Sequence, residues 1–462
     1  MRRNFSFKRN WTSYLSSTKR YNWSFLILTL IAIEIIFVFL VIETNDLIWY
    51  ILIALNSLFL ILIGWKIFLV LIFIIVMFFG FFYVIQNNKP DYKSINDNVF
   101  ITKKINSGII VNYKMQKIYV KNYDNLSIDD LINLKSVNLE KNKGKTNFEK
   151  YLKSEGVNYI ANSPTVKYLG TKKSLKRKIQ DYFTNGPIYY SRYGPLILLG
   201  LRYYKNETVI SKIKNISILH LVTISGFHIN LILLLIEKIL QLFKIRNKYV
   251  YILIFLFLIP YILIMNVPIA ATRALIFSFL CIFNKYFLNN KFHKLNLLSI
   301  TMIIFFLINP YIIFSLSFIF TFILTYAIIL TTSLSNKNKK AKILLVVSIF
   351  STLINLITNK EINFTSIVFS LFFSPIIAFI YILTFLFFWL KPVMDNCYLL
   401  LDILINIFQH LKLSINLDLQ TNWIISICSI LFFLVLIVGK KPILKIETKK
   451  YSKKEIRWWL NH

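Results

Sequence analysis

One apolar stretch of the sequence carries several side chains that could do chemistry. It reads His220-Leu-Val-Thr-Ile-Ser-Gly-Phe-His-Ile-Asn230. Polar groups within a membrane-length apolar segment are costly unless they face protein or water. On one continuous helix, at about 100° per residue, His220 and His228 lie about 80° apart and share a broad face with Ser225. The candidate residues of this stretch are His220, Ser225, Gly226, His228 and Asn230.

Three interpretations of this stretch stay open. The polar side chains can hydrogen-bond to neighbouring helices and serve packing alone. They can instead line a pore or contact a substrate that crosses the membrane. They can also form a Ser-His nucleophilic site, although the sequence contains neither a nucleophile-elbow motif nor an evident orienting carboxylate.

A single arginine marks the second candidate region, which reads Asn266-Val-Pro-Ile-Ala-Ala-Thr-Arg-Ala274. The chain has 44 lysines and 10 arginines, the pattern that AT-rich codons produce. That codon bias favours lysine, so it does not explain an arginine inside or at the edge of an apolar stretch. The guanidinium of Arg273 suits phosphate or carboxylate. Pro268 and Asn266 favour a helix break that exposes Arg273 to a cavity. The alternative is an arginine that reaches the membrane interface from the end of its helix.

The third candidate region is a turn that leads into a helix, from Asn309-Pro310 to Phe318. It places two hydroxyls, Ser315 and Ser317, two residues apart. Serine is an ordinary helix-packing residue in membranes, so spacing alone favours packing over a substrate contact.

The elements that must position these residues follow from an apolar and strongly basic composition. The 462 residues include 54 Lys and Arg against 20 Asp and Glu, a formal charge of +34, with 56% apolar residues and a mean hydropathy of +0.61. Apolar runs at 25–42, 47–63 and 249–265 are long enough to cross a bilayer, which excludes a soluble globule. We therefore expect a polytopic α-helical membrane protein. Three cysteines without metal-ligand spacing predict no metal site, and no cofactor is expected.

The distribution of charge predicts orientation and domains. A basic segment without acidic residues predicts a cytoplasmic N-terminus. The segment 398–417 is partly amphipathic and fits the membrane interface, so the number of spans stays open. The expected domains are a basic N-terminus at 1–24, three transmembrane helices at 25–86, an extracytoplasmic domain at 87–190, a transmembrane channel domain at 191–438 and a basic tail at 439–462. Within the channel domain, spans are predicted to begin near Ile216, Tyr249, Ile269, Leu295, Ile312, Ala341, Phe364 and Asn422.

The inserted domain is polar and rich in lysine. Alternating β-branched residues at 99–105 and 108–120 predict a small β-barrel or sheet, followed by a helix at 146–159. Between residues 87 and 190 there are 19 basic against 9 acidic residues, with tyrosines interleaved. Such a surface suits nucleic acid, and a solvated surface shaped by codon usage is the alternative.

Taken together, these motifs resemble the ComEC family of DNA internalisation channels, the competence proteins. The stretch 220–229 is similar to the family's HLLAISGLHV motif, with both histidines and Ile-Ser-Gly at the same spacing. Thr272-Arg273-Ala274 resembles the family's S-x-x-R-A element, and 309–318 resembles its DP…FQLSF element with Asn309 and Ser315 in place of the acidic residue and the glutamine. The segment 147–157 resembles the FDYxxYLxxxGI segment that closes the family's OB-fold domain.

The resemblance implies a multi-pass channel of the cell membrane that takes up single-stranded DNA through an OB-like outer domain. Nuclease chemistry is not expected from this chain, because its five histidines include no H-x-H-x-D-H and the family's metallo-β-lactamase-like domain is expected to be missing. A separate nuclease and a separate cytoplasmic ATPase or helicase are the implied partners, besides DNA and membrane lipids, and a homo-oligomer stays open. The alternatives are a membrane enzyme acting on lipid or cell-envelope substrates through His220, Ser225 and His228, and a channel for another anionic solute.

Overall fold

The structure is a computed structural model, and it combines apolar helices with one mixed β-sheet. The described residues are 24–44, 46–63, 69, 72–80, 92, 94–105, 108–114, 116–121, 123, 126, 128–136, 139–161, 164–171, 174–201, 204–245, 247–265, 267–334, 361–363 and 365–416. Asn266, the basic termini and the spans predicted near Ala341 and Asn422 lie outside them. Residues up to Phe322 and from Thr365 to Leu413 belong to one compact unit.

Two apolar helices precede the sheet, α1 (Ser24–Thr44) and α2 (Leu47–Ile63), and residues 72–80 are helical as well. The sheet strands are β1 (Ile95–Ile105), β2 (Gly108–Tyr113), β3 (Gln116–Lys121), β4 (Asp130–Ser136), β5 (Leu139–Lys141), β6 (Val157–Ala161) and β7 (Thr165–Thr171), with α3 (Asn147–Ser154) between β5 and β6. The helix α4 (Leu175–Thr184) follows the sheet.

The remaining helices carry the candidate residues. They are α5 (Ile188–Leu199), α6 (Glu207–Asn215), α7 (Leu219–Val222), α8 (Gly226–Leu242), α9 (Asn247–Ile264), α10 (Ile269–Tyr286), α11 (Lys294–Ile308), α12 (Leu316–Leu334), α13 (Ser366–Phe387) and α14 (Lys391–His410). Short 3₁₀ turns lie at Tyr204–Asn206 and Pro310–Phe314.

Several of these helices are long and apolar enough to cross a membrane. Among the described residues, the segments that satisfy both length and hydropathy are Leu219–Leu242, Ile269–Tyr286 and Val368–Phe387. Shorter apolar helices lie at Leu47–Leu58, Tyr249–Ile264, Lys294–Ile308 and Leu316–Thr332. The chain is therefore a mostly helical membrane protein with an inserted sheet domain.

The sheet of the inserted domain is open. Its strand order is β5-β6-β3-β2-β1-β4-β7, with β3 and β6 parallel and the other neighbours antiparallel. The expectation of a small closed β-barrel is wrong, because closure requires the two edge strands to pair with each other. Here β7 pairs along the outer edge of β4 and extends the sheet, while the other edge strand, β5, pairs with β6 through three residues.

Both faces of the sheet are covered where the strands are most apolar. Ile109 and Val111 of β2 belong to one apolar cluster, whereas Ile110 between them packs in a second cluster with Leu152 of α3. The helix α3 begins where Thr146 Oγ1 accepts a hydrogen bond from the Glu149 backbone N–H at 3.1 Å. The T-x-x-E pattern therefore sets the helix that covers the second face.

The second compact unit comprises residues 323–364 and 414–462. Its described part contains the C-terminal portion of α12 and an antiparallel pair of three-residue strands, β8 (Glu361–Asn363) and β9 (Ser414–Asn416).

Candidate functional site

The segment that carries His220 and His228 is interrupted at its centre. The helix α7 ends at Val222, Thr223 and Ser225 adopt extended backbone, and α8 begins at Gly226. The expectation that His220, Ser225 and His228 share one face of a continuous helix is therefore wrong. Serine side chains compete with helical hydrogen bonds and favour the position just before a helix, and Ser225 takes that position here.

Ser225 and His228 form a reciprocal cap at the start of α8. The Ser225 backbone N–H donates to His228 Nδ1 at 3.2 Å, and Ser225 Oγ lies 3.1 Å from the same nitrogen. Because a backbone N–H can only donate, Nδ1 is an acceptor and the neutral ring carries its proton on Nε2. The ring is fully buried with its edge against Tyr381, at a centroid distance of 4.5 Å. His228 therefore fixes the geometry of the break.

Arg273 of α10 lies against the first residue of α8. Its side chain is buried, it donates through Nη1 to the Thr321 carbonyl, and its guanidinium carbon is 5.8 Å from the centre of the Phe322 ring. A Cβ atom at Gly226 would lie only 2.8 Å from Arg273 Nη2 and 3.1 Å from Ala274 Cβ. Gly226 therefore permits the close approach of the two helices.

The break concentrates positive potential inside an apolar segment. The first backbone N–H groups of a helix have no partner within the helix, and they carry the positive end of its dipole. The guanidinium of Arg273 adds a full charge at the same place. Such an arrangement attracts a phosphate or carboxylate. We refer to Ser225, Gly226, His228 and Arg273 as the break cluster.

The structure does not bring all the candidate residues into the break cluster. His220 is partly buried on α7, whereas Asn230 is exposed two residues after His228. Ser315 is buried between the 3₁₀ turn and α12, and Ser317 is exposed. Among the described residues, no hydrogen bond joins Ser315 or Ser317 to Ser225 or His228.

A cavity of about 660 Å³ lies between the inserted domain and the apolar helices. The inserted domain contributes Lys103, Lys117, Lys141 and Lys153 to its lining, and the helices contribute Leu263, Ile269, Thr272 and Ile308. We call this cavity the lysine chamber. Thr272 directly precedes Arg273 in α10, so one helix joins the chamber to the break cluster.

The lysine chamber carries more positive than negative charge. Glu155 also lines it and pairs with Lys103 at 2.7 Å. Lys117 donates to the Glu155 carbonyl at 2.8 Å. Burial lowers the pKa of Lys117, Lys103 lowers it further, and the Glu155 carboxylate opposes both effects. An anion in the chamber would relieve the repulsion between these lysines.

Sequence reasoning missed the chamber, although it registered the basic charge of the whole domain. Lys103 is on β1, Lys117 on β3 and Lys141 on β5. Their spacing in the sequence therefore does not indicate that they line the same cavity. A prediction that β2 pairs with both β1 and β3 would have placed Lys103 and Lys117 in the same part of the sheet.

The turn at Asn309 joins the inserted domain to the helices. Asn309 Nδ2 donates to the Lys153 and Ser154 carbonyls at the end of α3, at 3.1 and 2.9 Å. Its Oδ1 accepts from the Tyr311 backbone N–H at 3.2 Å. Lys153 also pairs with Glu43 at the end of α1, at 2.8 Å, and lies 4.3 Å from the centre of the Tyr311 ring. The candidate motif at 309–318 therefore connects the inserted domain to the apolar helices, and we call the contacts of Asn309, Tyr311 and Lys153 the joint. The Asn309 amide supplies two N–H donors that an ionised aspartate lacks.

The amphipathic segment identified at 398–417 is largely helical, as part of α14. Asp402 is buried on it and accepts hydrogen bonds from Tyr193 at 2.7 Å and from Lys212 at 3.0 and 3.1 Å. Leu400, Ile403 and Ile407 are exposed. Polar anchoring with an exposed apolar face fits a helix that lies in a membrane interface.

Comparison with known proteins identifies the family. The family model described as "Competence protein" matches residues 197–443, more than half of the chain, and the match includes the break cluster and Asn309. No curated protein and no solved structure matches the chain. The match confirms the resemblance noted in the sequence motifs, and the chain belongs to the competence protein family.

Proposed function

We propose that this protein is a membrane channel through which single-stranded DNA crosses the cytoplasmic membrane. Membership of the competence family supports a role in DNA uptake, and a channel rather than an enzyme. The observation that carries the finer proposal is the lysine chamber, which α10 joins to a charged break in a membrane-length segment.

The chamber suits a single strand better than a duplex. Its volume of about 660 Å³ is in the range of pockets that hold one small-molecule ligand. About one or two nucleotides of one strand fit such a space. The lysines supply positive potential without the rigid forks of arginine, and conduction requires contacts that hold the strand and also release it.

The break cluster is the proposed second contact. Non-helical backbone at membrane depth is tolerated where it is buried in protein or lines a water-filled path. Transporters use the N-termini of broken helices to bind anionic groups of their substrates. In this proposal, each backbone phosphate passes from the chamber to the α8 N-terminus and Arg273. His220, Asn230, Ser315 and Ser317 are proposed contacts along the path, and Asn266 is a further one.

The proposal includes an orientation and partners. The inserted domain, proposed at 87–190, faces outward, and the basic N-terminus lies in the cytoplasm. A separate nuclease supplies the single strand and a separate cytoplasmic ATPase pulls it inward. Assembly of several copies within the lipid bilayer is compatible with this arrangement.

A matched pair of triple variants tests the role of the chamber. The first changes Lys103, Lys117 and Lys141 to Gln. The control changes Lys121, Lys135 and Lys167 to Gln, which are exposed lysines of the same domain outside the chamber. Both remove three charges. We expect import of labelled DNA to fall about tenfold in the first and less than about twofold in the control, because only the first loses phosphate contacts. Equal losses in the two variants would refute the chamber as the binding site.

The alternative of a membrane enzyme rests on the distance of 3.1 Å between Ser225 Oγ and His228 Nδ1. A Ser-His pair needs a second group that orients the imidazole. In the described part of the structure, no hydrogen-bond partner contacts His228 Nε2. Ser225→Ala in the purified protein discriminates the two functions, since an enzyme would lose turnover of a lipid or envelope substrate.

A further inference from the structure

A carboxyl group lies at the middle of the first apolar helix. Glu34 is the eleventh of the 21 residues of α1, and it is 1% exposed. Its neighbours on the helix are apolar, with Ile33, Ile35 and Ile36 beside it in sequence. A charge at the centre of a membrane helix costs about 2.5–3.5 kcal/mol on insertion scales, and such residues usually have a function.

The partners of Glu34 come from α2. Ser57 Oγ lies 2.6 Å from Oε1, and Asn56 Nδ2 donates to Oε2 at 2.5 Å. Asn56 Nδ2 also contacts the Leu30 carbonyl at 3.1 Å, which fixes the orientation of the amide. None of the ion pairs found among the described residues includes Glu34. Within the part of the chain that the structure describes, neutral groups alone hold the carboxyl group.

These partners can satisfy either protonation state. The ionised carboxylate accepts from the Ser57 hydroxyl and from the Asn56 amide. The protonated acid donates its proton to Ser57 Oγ, because a hydroxyl has lone pairs as well as a proton. The Asn56 amide then donates to the carbonyl oxygen of the acid. Neither state leaves a buried polar atom of Glu34 without a partner, so the site can gain and lose a proton when the Ser57 hydroxyl turns, with Ser57 and Asn56 in place.

Among the residues that the structure describes, the charged and titratable groups on the elements packed around α1 lie near the helix ends. They are Tyr50 in the first turn of α2, Lys294 at the start of α11, Tyr311 in the 3₁₀ turn, and Lys153 of α3 with its partner Glu43. Residues 72–80, which also pack against α1 through Phe78, contain no titratable side chain. Glu43 is nine residues from Glu34, about 13 Å along the helix. No cation within contact distance therefore fixes the charge of Glu34 in the described structure.

Helix α1 connects this carboxyl group to the joint of the inserted domain. Thr29 hydrogen-bonds to Ser299 of α11 at 2.9 Å, and the Phe39 ring contacts the Tyr311 ring at 5.4 Å. Tyr311 in turn lies beneath Lys153. A change of charge at Glu34 alters the strength with which α2 holds α1.

We propose that Glu34 is a reversible proton-binding site inside the membrane domain, with Ser57 and Asn56 as its hydrogen-bond partners. The ligand is a proton, and its arrival converts a charged contact between α1 and α2 into a neutral one. This site is independent of the contacts proposed for DNA.

Labelling with dicyclohexylcarbodiimide tests the proposal, because this apolar reagent modifies protonated carboxyl groups within membranes. The full chain in lipid nanodiscs is labelled between about pH 5.5 and about pH 9, and the modified carboxyl is located by peptide mass spectrometry. Glu43, which is paired with Lys153, is the internal reference. We expect labelling of Glu34, relative to Glu43, to be at least about fivefold greater at the acidic end. Absence of labelling at every pH, or labelling that does not depend on pH, would overturn the proposal.

A conservative variant separates proton binding from a purely structural role. Ser57→Ala removes a partner of both protonation states, but the hydrogen bond to the charged carboxylate is the stronger of the two, so the midpoint of labelling should move to higher pH. Glu34→Gln should abolish the label and thereby assign it. An unchanged midpoint in Ser57→Ala would contradict the site as described, and it is measured without any DNA, so the test is independent of channel function.

Discussion

The contact between Gly226 and Arg273 makes a quantitative prediction. In Gly226→Ala the added Cβ would be 2.8 Å from Arg273 Nη2 and 3.1 Å from Ala274 Cβ, whereas ordinary contacts begin at 3.4 Å. The guanidinium must retreat, although Thr321 and Phe322 hold it on the other side. Overpacking of a buried contact of this kind costs about 1–3 kcal/mol. We expect the free energy of unfolding to fall by that amount.

Gly80→Ala is the matched control. Gly80 lies at the end of the helical residues 72–80, and a Cβ there meets nothing within 4 Å. Alanine is favoured over glycine within helices by about 1 kcal/mol, so Gly80→Ala should leave stability unchanged or raise it slightly. Titration with a denaturing detergent measures both free energies of unfolding. DNA import by the same two variants then reports whether displacement of Arg273 also blocks transport.

A double-mutant cycle attributes the loss to the arginine. In an Arg273→Ala background the contact at 2.8 Å no longer exists, and the contacts with Ala274 Cβ at 3.1 Å and with the Ala270 carbonyl oxygen at 3.9 Å remain. The cost of Gly226→Ala should therefore shrink, with a coupling energy of about 0.5–3 kcal/mol. If Gly226→Ala is no more costly than Gly80→Ala, or equally costly with and without Arg273, the close approach inferred from the structure is refuted.

Three other contacts lead to predictions. Ser225→Ala removes the hydroxyl of the cap and should lower the free energy of unfolding by about 0.5–2 kcal/mol in a detergent titration, and an unchanged value would show that the cap is dispensable. Asn309→Leu removes the side-chain donor from the Lys153 and Ser154 carbonyls at the end of α3, and the Lys153 carbonyl then keeps only backbone donors such as the Gly156 N–H. Hydrogen exchange of 147–156 should therefore accelerate, whereas equal exchange in both proteins would argue against the joint. Burial opposes ionisation of Asp402, but hydrogen bonds from Tyr193 and Lys212 together hold its pKa below the ordinary 3.8. The stabilisation from these hydrogen bonds is complete above pH 3.8 and is lost as pH falls through the lower folded-state pKa of Asp402. The melting temperature should therefore fall in that pH range in the wild type and not in Asp402→Asn.

The sequence predicted several of the apolar helices because hydropathy alone specifies them. Apolar runs at 25–42 and 47–63 correspond to α1 and α2, and the span predicted to begin at Ile269 begins there. Burial of apolar surface in lipid needs no partner, so a local signal is sufficient. The strands at 108–120 were predictable for a similar reason, since residues alternate between two faces.

Features that depend on distant partners could not be predicted in the same way. An open sheet and a closed barrel share the same alternation, and the difference here lies in β7, which pairs with β4 across 30 or more residues. The periodicity of residues 220–230 likewise predicts one continuous apolar helix. The interruption depends on a hydrogen bond between the Ser225 backbone and the His228 ring, which competes locally with the helical pattern.

The distribution of positive charge shows why motif and geometry must be combined. The formal charge of +34 predicted an anionic partner but did not say where it would bind. Codon bias favours lysine at exposed positions in general, and the exact position of such a lysine has little effect on its interactions. The lysines of the chamber differ because β1, β3 and β5 hold them at one cavity, and Arg273 differs because Gly226 admits it to a helix N-terminus. Lys117 and Lys141 are exposed, so the chamber acts by placing several positive charges around one cavity, whereas Arg273 is buried and its charge is less screened by salt. These few residues, rather than the total charge, should determine the affinity for DNA.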